Sequence, residues 1–386
     1  MPKTSHIAKV VLLGLFTLFI LSCKDTSSRF ELMKPSTTGV AFNNELSYTE
    51  AFNPYTYRNF YNGAGVALGD INNDGLIDIY FTGNLVNNAL YLNRGDFKFE
   101  EIAETAGVAC KNIWSSGATF VDINQDGWLD LYVCKSGMPG GENRHNELFI
   151  NQKDNTFKES SAEYGLDITG LSVQAAFFDY DLDGDLDCYL LNNSMRSVGA
   201  YDLIENQRNI PDMEGNKLLE NRNGHFVNVS EEAGIYSSKI GFGLGITLSD
   251  FNNDLWPDLF ISNDFFEKDY LYINNQNGGF DEMGDSYFNA TSMGSMGADA
   301  ADIDNDLQTD LMVTEMLPEQ LSRKKLKASY ESWDKHQLAK SKGYGNQFPR
   351  NVLQRNMGTN TFAEISRIAG VDGSEWSWAA LFFDMD

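Results

Sequence analysis

The sequence predicts an all-β chain, a β-propeller of four-stranded antiparallel blades, and three observations predict it. A nine-residue acidic phrase returns five times, in units of about fifty residues with occasional insertions. Each copy stands between a small-residue apolar run and a β-branched or aromatic run, the signal of two strands joined by a loop. Two more strand signals follow in every unit, hinged on an Asn- and Gly-rich turn, and four strands per repeat make one blade.

Taken in order, residues 1–23 carry Lys3 and Lys9, an apolar run from Val10 and then Cys23. This is an export signal, too short for a reliable membrane span. Ile20, Leu21, Ser22 and Cys23 resemble a bacterial lipobox, which implies cleavage before Cys23, lipidation of its thiol and attachment to a membrane through that lipid alone. The expected location is extracytoplasmic, at the outer membrane or cell surface. Residues 24–59 are a lead-in whose Phe30–Phe42 stretch reads as a stray fourth strand able to close the ring.

Residues 60–386 hold the repeats. The acidic phrases are DINNDGLID from Asp70, DINQDGWLD from Asp122, DYDLDGDLD from Asp179, DFNNDLWPD from Asp250 and DIDNDLQTD from Asp302, with a sixth begun at Asp384. The third strand and its turn read as NALYLNRGDF, NELFINQKDNTF, NKLLENRNGHF, DYLYINNQNGGF and NVLQRNMGTNTF, and the closing Phe opens the fourth strand. Four units then end in a phrase such as FEEIAETAGV, a helical turn with Gly near its end. The fourth unit, FDEMGDSYFNATS, lacks it. Two inserts interrupt the pattern. Residues 195–215 are polar and turn-rich, while 317–345 read as helical and carry Arg323, Lys324, Lys325, Lys327, Lys335, Lys340 and Lys342, either a solvated surface helix or a dock for an anionic partner.

Each acidic loop places side-chain oxygens at positions 1, 3, 5 and 9 and a backbone carbonyl at 7. Such alternation, in a tight turn, converges on one hard cation held by six to eight oxygens. The expected ligands are Asp70, Asn72, Asp74, Leu76 and Asp78; Asp122, Asn124, Asp126, Trp128 and Asp130; Asp179, Asp181, Asp183, Asp185 and Asp187; Asp250, Asn252, Asp254, Trp256 and Asp258; and Asp302, Asp304, Asp306, Gln308 and Asp310. Calcium is the expected ion, about one per complete loop. Magnesium prefers a smaller octahedral site and the loops hold no His or Cys for a transition metal. An EF-hand needs Glu at position 12, where this chain has Phe81, Val133, Leu190, Ile261 and Val313. Position 6 is Gly75, Gly127 and Gly184, then Leu255 and Leu307; a leucine held at positive φ costs ~1–2 kcal/mol, so those two loops are expected to turn differently or bind more weakly.

Charge and composition narrow the function. A net charge of −26 over 386 residues leaves no basic footprint for nucleic acid. Cys110, Cys134 and Cys188 form no disulfide framework or zinc spacing, and Cys134 and Cys188 are expected as buried free thiols. His6, His145, His225 and His336 belong to no catalytic motif.

Loop, flanking strands and AG phrase together, over roughly residues 30–386, resemble the FG-GAP or VCBS repeat of integrin α-like propellers. AETAGV and EEAGI, with KGYGNQFPRNVLQ and WSWAALFFDMD, are similar to the bacterial branch related to cartilage acidic protein, whose members commonly carry a C-terminal ASPIC/UnbV domain. The resemblance implies a ring of seven blades with calcium loops at the blade edges and a role in ligand binding or adhesion. About five blades and a fraction are present here, so it also implies truncation in the sixth repeat, ahead of that domain, and an open ring with exposed edges. The expected function is a binding or adhesion scaffold for a protein or glycan, not an enzyme. Two alternatives are a propeller enzyme acting on polysaccharide, which would need a carboxylate outside the acidic loops, and a structural subunit of an envelope complex.

Overall fold

A computed structural model describes residues 30–137, 144–193, 208–238, 240–264, 267–327 and 332–384. The signal segment with Cys23, residues 195–207 of the first insert and 328–331 of the second lie outside the described residues.

Five four-stranded antiparallel meanders follow one another along the chain. Blade 1 comprises β1 (Val66–Gly69), β2 (Asp78–Phe81), β3 (Ala89–Asn93) and β4 (Phe99–Glu101). Blade 2 comprises β5 (Ser115–Val121), β6 (Asp130–Lys135), β7 (Glu147–Asn151) and β8 (Phe157–Glu159). Blade 3 is β9 (Ser172–Phe178), β10 (Asp187–Asn192), β11 (Lys217–Asn221) and β12 (Phe226–Asn228). Blade 4 is β13 (Gly243–Ser249), β14 (Asp258–Asn263), β15 (Tyr270–Asn274) and β16 (Phe280–Glu282). After the two-residue β17 (Thr291–Ser292), blade 5 runs through β18 (Gly297–Ala301), β19 (Asp310–Thr314), β21 (Val352–Asn356) and β22 (Phe362–Glu364), with β20 (Gln347–Phe348) pairing parallel to β17. The acidic loop joins the first two strands of every blade, as the repeat requires.

The first strands β1, β5, β9, β13 and β18 lie beside one another in that order, so they are the inner strands of a ring sector. Ser116 Oγ donates to Ser172 O at 2.5 Å and Thr119 Oγ1 to Ala175 O at 2.8 Å, tying β5 to β9, and Thr247 Oγ1 donates to Ala298 O at 3.0 Å, tying β13 to β18. Hydrophobic cores sit between blades rather than within them, because each sheet must bury both faces. Tyr80 and Leu92 of blade 1 pack with Leu131 and Phe149 of blade 2, and Tyr189 of blade 3 packs with Leu259 and Tyr272 of blade 4. Cys134 and Cys188 are buried free thiols in the core between blades 2 and 3.

The linkers explain the recurring phrase. The last residue of the fourth strand caps the following turn: Glu101 Oε1 accepts from the Ala103 amide, Glu159 from Ser161, Glu282 from Gly284 and Glu364 from Ser366. The turn ends at Gly107, Gly165, Gly234 or Gly370 in the left-handed region. At Gly165 and Gly234 an added Cβ would sit 2.8 and 2.5 Å from the carbonyl of the Phe that opens the next blade's fourth strand. The lead-in repeats this device: Pro35–Thr38 is a helical turn ending at Gly39 (φ 85°), packed on Phe99 of blade 1. In the fourth unit the turn Gly284–Tyr287 exits instead through extended Phe288, and the chain detours into β17. The second insert is helical at Leu321–Lys327 and Trp333–Ser341, neither of which buries a residue. Arg323 and Lys324 are drawn back to Glu375 and Asp372, at 2.7 and 3.6 Å.

Candidate metal centres

The five loops share one geometry, built by the loop's own aspartates. The position-1 carboxylate accepts the amides of positions 5 and 6, as in Asp70 with Asp74 at 3.1 Å and Gly75 at 2.7 Å. The same pair of bonds recurs at Asp122, Asp179, Asp250 and Asp302. Position 5 accepts the amide of position 7 in every loop, through Asp74, Asp126, Asp183, Asp254 and Asp306. Asn72, Asn124, Asp181 and Asn252 at position 3 accept the position-5 amide. These short side-chain bonds fold the loop without any regular structure.

Position 9 is different. Asp78, Asp130, Asp187, Asp258 and Asp310 are at most 1% exposed. One oxygen of each accepts the position-2 amide, and the other accepts the amide of the asparagine ending the third strand, Asn93, Asn151, Asn221, Asn274 or Asn356, at 2.7–2.8 Å. That asparagine also reaches the preceding blade: Asn151 Nδ2 donates to Ile71 O, Asn274 to Tyr180 O and Asn356 to Phe251 O. Sequence reasoning had no signal for this clamp beyond the recurrence of Asn itself. Burial pushes the Asp130 carboxyl up to about 6 and those of Asp187 and Asp258 up to about 7, and raises Asp78 and Asp310, against the backbone amides that lower them.

Oxygens of Asp179, Asp181 and Asp187 lie within 4.8 Å of one another, as do those of Asp302, Asp304 and Asp310. Positions 1, 3 and 9 therefore converge in the two loops that carry aspartate at all three. The other loops have Asn at position 3, a neutral oxygen donor of the same reach. The donor set is oxygen throughout, negative and bent around one point, which fits a hard divalent cation and no soft one. Nearby groups meanwhile lean on the carboxylates: Lys153 Nζ is 3.2 Å from Asp126, Gln276 donates to Asp254 at 2.9 Å, and Arg355 pairs with Asp304. Leu76, Trp128, Asp185, Trp256 and Gln308, whose carbonyls are the expected backbone ligands, each donate their amide to the position-5 carboxylate.

The leucine loops do not turn differently. Leu255 and Leu307 hold φ of 69° and 67°, beside 82–98° for Gly75, Gly127 and Gly184, and both side chains point to solvent. Position 4 is also left-handed in all five loops, at Asn73, Gln125, Leu182, Asn253 and Asn305, a feature the sequence analysis missed. Asn and Gln there have a use: Asn73 Nδ2 donates to Gly127 O, Gln125 Nε2 to Gly184 O and Asn253 Nδ2 to Leu307 O, linking each loop to the next blade's loop. Leu182, with no polar group, cannot make that link to blade 4.

Repeated acidic loops on the inner hairpins of successive four-stranded blades give this chain a propeller-like architecture, and part of it matches FG-GAP-like repeats. The FG-GAP-like repeat family matches residues 70–133 and 250–313, which span the loops of blades 1, 2, 4 and 5. Among named proteins the chain is similar to cartilage acidic protein 1. The human protein is 28% identical over 204 residues, covering 52% of this chain and 28% of that one, and the Xenopus tropicalis protein is 26% identical over the same shares. The match thus spans little more than a quarter of the length of these relatives. Similar solved structures include an Agrocybe aegerita protein described as recognising non-reducing terminal N-acetylglucosamine, at 14% identity and a TM-score of 0.41 over 81% of this chain and 67% of that one. Another is the AofleA mutant from Arthrobotrys oligospora, at 10% identity and 0.40 over 78% and 72%.

Proposed function

We propose that this propeller is a calcium-dependent binding scaffold exported from the cytoplasm and held at a membrane by a lipid on Cys23, presenting its surface to a protein or glycan. The observation that carries it is the fivefold recurrence of one acidic loop folded by the same hydrogen bonds, with carboxylates of positions 1, 3 and 9 gathered within 4.8 Å in two of them. A solitary acidic turn needs no ion, but five loops each carrying three to five carboxylates repel internally unless cations sit among them. Each ion would bridge the first and last residues of a loop, and so fix the inner hairpin on which the blade is built. Calcium then acts on stiffness, and ligand recognition falls to surfaces and inserts carried by the stiffened blades. On this reading the chain works through binding surfaces and not through catalysis. Among the described residues no helix is long and apolar enough to cross a membrane, and the lipid is the proposed attachment.

The test is thermal unfolding of the purified chain with calcium, magnesium or chelator, with metal analysis. The expected outcome is several bound calcium ions and a calcium-specific rise in melting temperature, since an ion that binds only the folded state stabilises it by mass action. No bound metal and no shift would remove the calcium reading. Palmitate labelling of the full chain that is lost in Cys23→Ser checks the anchor.

A further inference from the structure

At the end of the inner strands opposite the acidic loops lies a second site. There the first residues of the inner strands of the blades, together with Trp378 from the segment after blade 5, surround a pocket of about 360 Å³. Its roof comes from the lead-in, where the turn Arg58–Tyr61 and the residues around it place Tyr57, Asn59 and Asn62 over the axis. The lead-in is held there by packing Tyr57 and Phe60 on Trp114 and Leu171.

Its chemistry is narrow. None of the lining residues is charged, in a chain of net charge −26. An anion would find no counter-charge there, and a cation no carboxylate. An apolar ligand is also a poor fit, because the wall is interrupted by amides. Asn59 lines the pocket at 4% exposure, and its buried Oδ1 meets no donor among the described residues. The side chains of Gln174 and Asn62 also find no protein partner among the described residues. Beside these amides stand two indoles, Trp114 and Trp378. Amides that hydrogen-bond hydroxyls, next to indole surfaces that cover C–H faces, make a set suited to a ring with many hydroxyls and one apolar side. The volume sits near the lower bound of ligand pockets, ~300–1,000 Å³, and suits one ring better than a folded peptide segment.

We propose that this axial pocket binds one uncharged sugar residue, entered end-on by the terminus of a glycan. This deepens the scaffold reading, on which it rests, by naming the site and the ligand class. Asn59 Oδ1 accepts from a sugar hydroxyl, Gln174 donates to or accepts from a second, and Trp378, the more exposed indole at 39%, covers the ring.

The experiment titrates the full chain with methyl glycosides of glucose, galactose, mannose and N-acetylglucosamine, with glucuronate and sialic acid as charged probes, followed by tryptophan fluorescence. Expected is saturable binding of at least one neutral glycoside, weakened about tenfold in Gln174→Ala, whose side chain is only half-buried, and in Asn59→Ala. The melting temperature of each variant separates lost contact from lost fold, and Gln174→Ala serves if Asn59→Ala unfolds. Binding unchanged in both variants would put the sugar elsewhere and overturn the site while leaving the scaffold reading intact. Binding of charged probes only, or of none, would overturn it too. Failure of the calcium reading shows separately, in the metal analysis and melting series.

Discussion

Asp269 shows what a single residue contributes and costs in this repeat. The residue before the third strand is Asn88, Asn146, Asn216 and Asn351 in four blades, each accepting a backbone amide through Oδ1. Blade 4 has Asp269 in that place, fully enclosed, with Oδ1 accepting the Asn263 amide and Oδ2 accepting the Ser295 hydroxyl. Burial pushes its carboxyl up to about 7, above the ordinary value near 3.8. The folded state thus holds a proton that the unfolded state has released, so stability falls as pH rises from about 4 to about 7 and levels off beyond. Asp269→Asn, which keeps the acceptor and lets Nδ2 face the Ser295 hydroxyl as Asn146 faces Ser172, is expected to raise stability at pH 8 by about 2 kcal/mol and by little near pH 4. Urea unfolding of both proteins at the two pH values checks it; an equal effect at both would show that the charge is not the cause. The position-9 aspartates face the same burial, but a bound cation would offset their cost.

At the scale of an element, the acidic loop does two jobs with one sequence. Its odd positions aim oxygens inward, and its even positions 4 and 6 carry the left-handed residues that make the inward aim possible. Position 4 then links neighbouring loops wherever it is Asn or Gln, as at Asn73, Gln125 and Asn253. Between blades 3 and 4 the link is missing, because Leu182 stands there at φ 58° with its side chain in solvent. Leu182→Asn is expected to stabilise the chain by about 1 kcal/mol, from relief of left-handed strain and one new hydrogen bond to the loop of blade 4. Asn73→Ala is expected to lose about 1 kcal/mol for the converse reason. Denaturant midpoints would show both, and a Leu182→Asn protein no more stable than its parent would mean that the repeat geometry does not carry across that junction.

For the molecule as a whole, the lead-in is tied to the blades through one aromatic cluster. Tyr57, Phe60, Trp114 and Leu171 form a buried cluster with Phe52 and Leu46 packed on it, and the Phe52 and Trp114 rings meet edge-on at 5.4 Å. The Tyr57 hydroxyl bonds Ser136 at 2.7 Å, so the segment is fixed by polar as well as apolar contacts. Trp114→Ala is expected to cost ~3–5 kcal/mol, the usual loss for a buried aromatic. It is also expected to free the lead-in before the blades unfold. Limited proteolysis should then cut between residues 30 and 62 while the repeats stay protected; simultaneous loss of both would show that the lead-in and blades form one cooperative unit.

By itself the sequence determined the blades, because both of their signals are local. The two-residue alternation of strands and the oxygen spacing of DxNxDGxxD-type loops are written within nine or ten neighbouring residues, and so are the Gly and Asn that turn the hairpins. It also marked the candidate ligands, since a cage built from one loop needs no distant partner. What only the tertiary structure decided depends on residues far apart in the chain. The Asn151 amide reaching Ile71, the Asn73 amide reaching Gly127 and the meeting of Asn59, Gln174 and Trp378 at the axis join segments separated by fifty to several hundred residues. No spacing rule spans such distances, because the approach is set by how each sheet twists and stacks on the next. The same reason explains Leu255 and Leu307: local propensity disfavours them at positive φ, and the surrounding loop, held by five backbone amides donating to side-chain oxygens of Asp250, Asn252, Asp254 and Asp258, overrides it.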